Sequence, residues 1–180
     1  FVNKSEIRKK LIKFRMLKSH KNLEINFATI FKIIKKKKFL GKIVGGYYPY
    51  NYEYNSIKIM KKFEKKNFLI SLPRIKKNSQ MDFLNWSTDD PLEINNYGIP
   101  EPTSNKIQLP DILLVPIVAY DKDCNRIGYG GGFYDRYIKK INKIKKIITI
   151  GLAYSFQEVK KISINKHDMK LDFIITEKSI

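Results

Sequence analysis

Asn125-Arg126-Ile127-Gly128-Tyr129-Gly130-Gly131-Gly132-Phe133-Tyr134-Asp135-Arg136-Tyr137 follows an apolar run, Ile112 to Ala119, and leads into a helical pattern that begins near Phe133. The apolar run reads as a buried strand, so the stretch predicts strand, glycine-rich turn and helix. Four of the nine glycines lie in that turn. Glycine tolerates positive φ and close backbone approach, and a helix start offers free N–H groups, so such a turn can cradle a phosphate. Arg126 adds a forked cation, and Asp135 in the first helical turn adds a carboxylate suited to a magnesium ion on phosphate oxygens. An ordinary strand-to-helix turn, with Asp135 stabilising the helix dipole, is the alternative. The segment is neither a Walker A loop, since no Gly-Lys-Ser/Thr follows, nor a dinucleotide fingerprint, since Phe133 stands where the last Gly or Ala is required.

Outward from this turn, strand and helix patterns alternate. Upstream, Asn3 and Glu6 suggest a capped helix running to about Leu17, with Ile7, Leu11 and Phe14 as its buried stripe. Lys4, Arg8 and Arg15 share one face of it, which reads as a solvated basic surface. A second helix is expected from Leu23 to Lys37, with Ile25, Ala28, Phe31 and Ile34 inward. Residues 42–49 read as a short strand stopped by Pro49, followed by the aromatic loop Tyr50-Asn51-Tyr52-Glu53-Tyr54, suited to stacking on a flat heterocycle. A helix over 56–66, a strand over 68–72 closed by Pro73, and a weakly alternating strand over 81–86 follow. Residues 89–108 hold three prolines and little periodicity and read as a long ordered loop. In the strand over 111–120, Pro116 suggests a bulge or a sheet edge. A helix over 133–145 and strands over 147–153 and 171–176 complete the chain.

This order predicts an α/β fold: a single domain over residues 1–180 with a mainly parallel central sheet and helices on both faces. In such folds ligands bind beyond the carboxyl ends of the strands. The loop from Tyr48 to Glu53, the glycine turn and the connection at His167-Asp168 each follow a predicted strand, so they are expected to share one rim.

The 180 residues are 43% hydrophobic and carry a formal charge of +19. Of the 36 basic residues 31 are lysine, among many Ile, Asn, Tyr and Phe, the mixture that AT-rich codons supply. A coding bias therefore accounts for the charge, and no nucleic-acid-binding signature accompanies it, so no dedicated nucleic-acid partner is expected. A general attraction for anionic ligands is. No apolar run approaches the length of a membrane span and no leader pattern is visible, so a cytoplasmic protein without membrane contact is expected. Cys124 is the single cysteine, which excludes an internal disulfide, and it reads as incidental. The oligomeric state is left open.

The Pro-x-x-x-x-x-Pro strand, the Asp-Lys-Asp-Cys-Asn turn and Arg-Ile-Gly-Tyr-Gly-Gly-Gly-Phe-Tyr-Asp-Arg-Tyr together resemble the signature of the 5-formyltetrahydrofolate cyclo-ligases, also called 5,10-methenyltetrahydrofolate synthetases. The Lys4-x-x-x-Arg8 start, the Gly46-Tyr47-Tyr48-Pro49 and Glu53 region, the Pro100-Glu101-Pro102 loop and the His167-Asp168 and Leu171-Asp172 ending extend the similarity over nearly the whole chain. The resemblance implies an ATP- and Mg²⁺-dependent cyclisation of 5-formyltetrahydrofolate to 5,10-methenyltetrahydrofolate, with release of ADP and phosphate. It implies that Lys4, Arg8 and Arg126 are catalytic and contact ATP phosphates. Ile127, Gly128, Tyr129, Gly130, Gly131, Gly132, Phe133 and Tyr134 would complete the nucleotide site. Tyr48, Glu53 and the segment Tyr129, Gly130, Gly131, Gly132 and Phe133 would contact the folate, with Tyr48 and Tyr52 stacking on it. Asp135 and Asp168 align with the magnesium ligands. Tyr129 stands where some members carry a basic residue.

Overall fold

The computed structural model describes residues 3–18, 20 and 22–178. In chain order its elements are α1 (Lys4–Leu17), α2 (Phe27–Lys36), β1 (Ile43–Gly45), α3 (Ser56–Glu64), β2 (Leu69–Lys76), β3 (Gln80–Trp86), β4 (Leu92–Ile94), β5 (Pro100–Pro102), β6 (Ile112–Pro116), β7 (Ala119–Tyr120), β8 (Arg126–Ile127), α4 (Phe133–Ile141), β9 (Ile148–Leu152) and β10 (Phe173–Ile175). Six strands form one sheet in the order β10-β9-β6-β1-β2-β3, parallel except for β3, which returns antiparallel on β2. The α/β architecture with a mainly parallel sheet is as expected.

The central strand β6 shows why both faces are covered. Ile112 and Leu114 point into one apolar cluster, Leu113 and Val115 into the other, and all four are fully buried. A strand buried on both sides reads as an unbroken apolar run. The first cluster takes Ile30, Ile33 and Ile34 from α2 and Ile59, Met60 and Phe63 from α3. The second takes Tyr137, Ile138 and Ile141 from α4. Each such side chain contributes about 1.5–3 kcal/mol on burial. Asn3, Asn26 and Asn55 cap the first three helices, each accepting the N–H two residues on.

Several expectations are corrected. The second helix starts at Phe27, not Leu23, because Asn26 is its cap, and Ala28 faces outward. On α1, Phe14 is 45% exposed and Arg15, expected on the solvated face, is buried at 1% exposure. Strand β2 runs through Pro73 to Lys76: its neighbour β1 has already ended opposite Ser71, so the missing proline N–H has no acceptor to fail. Pro116 likewise marks neither a bulge nor an edge. It is the last residue of β6, paired with Leu152 on one side, while β1 stops opposite Leu113 on the other.

The stretch 89–108 is not a plain loop, since β4 and β5 form an antiparallel hairpin. The Asn95 side chain accepts the Tyr97 and Ile99 N–H groups at 2.9 and 3.0 Å, and Gly98 takes φ 75° to close the turn. Arg74 on β2 holds this hairpin by donating to the carbonyls of Pro102 and Ser104. Among the described residues no helix is long and apolar enough to cross a membrane.

Candidate active site

Beyond the carboxyl end of β1, the overhanging part of β2 and β3 forms one wall of a cavity of about 800 Å³. The amino-terminal turn of α1, the loop after β1, the glycine turn, the β4–β5 hairpin and residues 165–168 form the rest. The three loops expected on one rim meet there. Lys4, Arg8, Tyr48, Glu53, the run from Arg126 to Asp135, and Asp168 all line it. Tyr52 does not: it is turned outward, and Tyr47 and Tyr50 take part instead.

The glycine turn is built by its backbone and by two arginines. Gly130 and Gly132 have φ of 98° and 69°, values that a side chain rarely adopts. Gly132 is the residue before α4, and a Cβ there would also lie 2.6 Å from the Arg136 guanidinium. Arg8 Nε donates to Gly128 O at 2.7 Å, and Arg136 Nη1 to Gly131 O at 2.7 Å. With two carbonyls of the turn held this way, the turn and the amino end of α4 present a surface favourable to anions.

Two carboxylates stand at the cavity wall, each beside a cation. Lys4 Nζ lies 2.5 Å from Asp168 Oδ2, which also accepts the Asn165 N–H at 2.9 Å. Partial burial would raise the Asp168 pKa, but the hydrogen bonds from Lys4 and Asn165 outweigh it and hold the acid below the usual carboxylate range. Asp135 Oδ1 accepts from Arg126 Nη1 at 2.8 Å and from the Met169 N–H at 2.9 Å. Arg126 donates further to Met169 O at 3.0 Å, so this loop is fixed to α4 through both residues. Each acid uses one oxygen in these bonds. A second oxygen on each is a hard donor of the kind magnesium takes alongside phosphate oxygens and water, so the donor chemistry fits that ion.

The other half of the cavity is aromatic and holds one buried acid. Glu53 is 7% exposed, and its Oε2 accepts the Tyr50 N–H at 2.8 Å. Burial pushes its pKa up to about 7, against the lowering effects of that hydrogen bond and of Arg15. The hydroxyl of Tyr134 is buried with no hydrogen-bond partner among the described residues. Tyr47 is anchored through its hydroxyl, which donates to Tyr54 O at 2.8 Å.

Sequence reasoning missed part of the lining. Asn95, Tyr97 and Ile99 arrive on the hairpin turn, and Tyr97 is 66% exposed at the mouth. Reading 89–108 as a loop hid them, although Asn-Asn-Tyr-Gly is itself a turn signal. Arg136 and Lys139 were missed as well and enter from the first two turns of α4, whereas His167 lines the cavity as its connection was expected to.

With this geometry in place, the comparisons with known proteins fall in one direction. Residues 1–177 match the model of the 5-formyltetrahydrofolate cyclo-ligase family. A 5-formyltetrahydrofolate cyclo-ligase of Haemophilus influenzae is 30% identical over 93% of this chain and 92% of its own. One from Mycoplasma pneumoniae is 29% identical over 98% and 99%. Among solved structures, the 5,10-methenyltetrahydrofolate synthetase of Aquifex aeolicus superposes with a TM-score of 0.72 at 28% identity, covering 98% of this chain and 90% of that one. That of Mycoplasma pneumoniae, 23% identical, shares the fold with a TM-score of 0.74 over 98% and 99%. A full-length family match, a relative 30% identical over nearly all of both chains, and a cavity lined by Lys4, Arg8 and the whole run from Arg126 to Arg136 lead to one conclusion: this chain belongs to the 5-formyltetrahydrofolate cyclo-ligase family.

Proposed function

We propose that the cavity takes 5-formyltetrahydrofolate and ATP side by side and closes the folate to 5,10-methenyltetrahydrofolate. The observation that carries this is that one cavity is lined by two chemically different sets of residues. One holds Lys4, Arg8, Arg126 and the glycine turn; the other holds Glu53 among Tyr47, Tyr48, Tyr50 and Tyr134. The first suits a polyphosphate, the second a flat ring with N–H donors.

The formyl oxygen is a poor leaving group until it is phosphorylated. In the proposed reaction it attacks the γ-phosphorus, forming the O–P bond as the bond to the β-phosphate oxygen breaks and ADP leaves. N10 then adds its lone pair to the formyl carbon and loses its proton. The C–O bond breaks with phosphate as the leaving group, giving the N5–C–N10 amidinium product. Lys4, Arg8 and Arg126 neutralise phosphate charge, and the glycine turn and the start of α4 position it. Glu53 accepts from the ring nitrogens and fixes the folate so that formyl oxygen and phosphorus meet. Asp135 and Asp168 would hold Mg²⁺, which supplies further charge neutralisation on the phosphates.

The test is turnover by purified protein with 5-formyltetrahydrofolate and Mg²⁺, followed by the near-ultraviolet absorbance of the methenyl product. Product that requires ATP, with ADP released one for one, is the expected result. Folded protein that forms none would overturn the reading.

A further inference from the structure

We propose that Arg15 is a positioning residue that locks the folate-side loop to the nucleotide-side turn, so that the two substrates bind cooperatively. This rests on the function proposed above.

Arg15 does not line the cavity; it lies behind it, on α1, at 1% exposure. Its three donor nitrogens reach three separate segments. Nε donates to Asn51 O at 2.7 Å in the loop after β1, Nη1 to Ile117 O at 3.1 Å just past β6, and Nη2 to the Tyr129 hydroxyl of the glycine turn. The Tyr129 hydroxyl in turn donates to Tyr50 O at 3.5 Å, and the two tyrosine rings meet edge to face at 5.7 Å. Arg15, Asn51, Tyr50 and Tyr129 thus close a ring between the half of the cavity that holds Glu53 and the half that holds the glycine turn.

Two physical features argue that this arrangement serves position rather than stability. The partners of this buried cation are two carbonyls and a phenol, and among the described residues no carboxylate oxygen is in ion-pair contact with it. A buried charge without an ion pair is costly, and an apolar side chain of similar volume would pack there at less cost. Second, the segment it holds is strained. Asn51 and Tyr52 take φ of 45° and 59°, two consecutive left-handed residues of which neither is glycine. Such backbone persists only where its surroundings over-determine it. The Arg15 bond to Asn51 O is one of the restraints, and Glu53, the next residue but one, inherits its position from that turn.

A loop and a turn held by one guanidinium move together. Nucleotide that orders the glycine turn then orders the Glu53 loop through Tyr129 and Arg15, and folate does the reverse. Lysine in place of Arg15 keeps the charge but offers a single ammonium that cannot span three separated acceptors with the same planar geometry.

The experiment is calorimetric binding of 5-formyltetrahydrofolate to the full chain, with and without a non-hydrolysable ATP analogue plus Mg²⁺, after turnover by the unaltered protein has been established. The unaltered protein is expected to bind folate at least about tenfold more tightly with the analogue present. Arg15→Lys is expected to reduce that factor to within about twofold of one, with the melting transition still cooperative. Tyr129→Phe, which removes one hydroxyl from the ring, is expected to reduce it as well. If Arg15→Lys does not fold, Tyr129→Phe decides. Undiminished cooperativity in the folded variants, or none in the unaltered protein, overturns the proposal. Absence of turnover or folate binding in the unaltered protein instead counts against the proposed function.

Discussion

Asp168 Oδ2 lies 2.5 Å from Lys4 Nζ across 164 residues of sequence, joining the first turn of α1 to the loop before β10 at the cavity wall. Both side chains are about a quarter exposed, so the pair itself adds no more than about 1 kcal/mol. Lys4→Met is therefore expected to lower the melting temperature by only about 2–4 °C. Loss of the cation from the phosphate side is expected to cost about 100-fold in kcat/KM for ATP, or about 2.7 kcal/mol of transition-state stabilisation. Thermal melts and steady-state kinetics on the same preparation separate the two. A large drop in melting temperature with an unchanged KM and kcat would assign the pair to stability alone.

Asp135 is the second acid to test, because its substitution can leave its structural bonds in place. Its Oδ1 accepts from Arg126 and from the Met169 N–H, and the amide oxygen of Asp135→Asn can accept both. What the variant lacks is the negative charge. The expected outcome is a folded protein whose half-saturating Mg²⁺ concentration rises by about tenfold or more. A titration of turnover against Mg²⁺ that superimposes on that of the unaltered protein would remove Asp135 from the metal site.

The sequence was most legible where a local rule and the tertiary structure agree. The apolar core of the strand at 112–116, the glycine turn and the Asn3-capped start of α1 carry their own geometry, and the structure reproduces them, whereas the strand expected over 111–120 ends at Pro116 and Ala119–Tyr120 pairs with β8 in a separate sheet. It was least legible where tertiary context decides. Arg15 lies on the helix face of Lys4 and Arg8, and only the acceptors at Asn51, Ile117 and Tyr129 reveal why it is buried. One clue was present in composition. In a chain with 31 lysines, all five arginines donate to backbone carbonyls: Arg8 to Gly128, Arg15 to Asn51 and Ile117, Arg74 to Pro102 and Ser104, Arg126 to Met169, and Arg136 to Gly131. Arginine remains where several donors are needed in a fixed plane, which lysine cannot supply. The β4–β5 hairpin was missed for the opposite reason: its strands are three residues each, too short for periodicity, and it is held by Arg74 on a different strand.

Tyr134 offers a prediction in which stability and activity move apart. Its hydroxyl is buried without a partner among the described residues, and burial together with the nearby Glu53 carboxylate pushes its pKa far up, so it is a neutral donor. An unsatisfied buried hydroxyl costs about 1–3 kcal/mol. Tyr134→Phe is therefore expected to melt at a higher temperature than the unaltered protein when no substrate is present. If bound folate or nucleotide accepts that hydroxyl, the same variant loses about 10-fold in kcat/KM, the value of one hydrogen bond. A variant that gains stability and keeps full kcat/KM would show that the hydroxyl meets neither substrate.

Glu53 sets the expected pH dependence. Its pKa is raised from 4.5 to about 7, chiefly by burial, so the folded chain holds this proton over a range in which the unfolded chain has lost it. Folding then binds more protons, and the sign follows: the stability linked to Glu53 is fully present below pH 4.5 and is lost as pH rises through about 7. The whole difference is about 3 kcal/mol at the conversion of 1.36 kcal/mol per pKa unit. Folate binding has the opposite slope, because ring N–H donors require the ionised carboxylate. Glu53 faces Tyr47, Tyr129 and Tyr134, all neutral donors in this range, and the Arg15 cation, which favours ionisation without replacing a substrate donor. The KM for 5-formyltetrahydrofolate is therefore expected to rise as pH falls below about 7, and binding there should release a proton to buffer. Glu53→Gln is expected to raise that KM above about pH 7, where the unaltered carboxylate is ionised, and to flatten its pH dependence. A KM that stays level from pH 6 to 8 in the unaltered protein, measured across about two units with calorimetric proton counts near zero, would place Glu53 outside the folate contact.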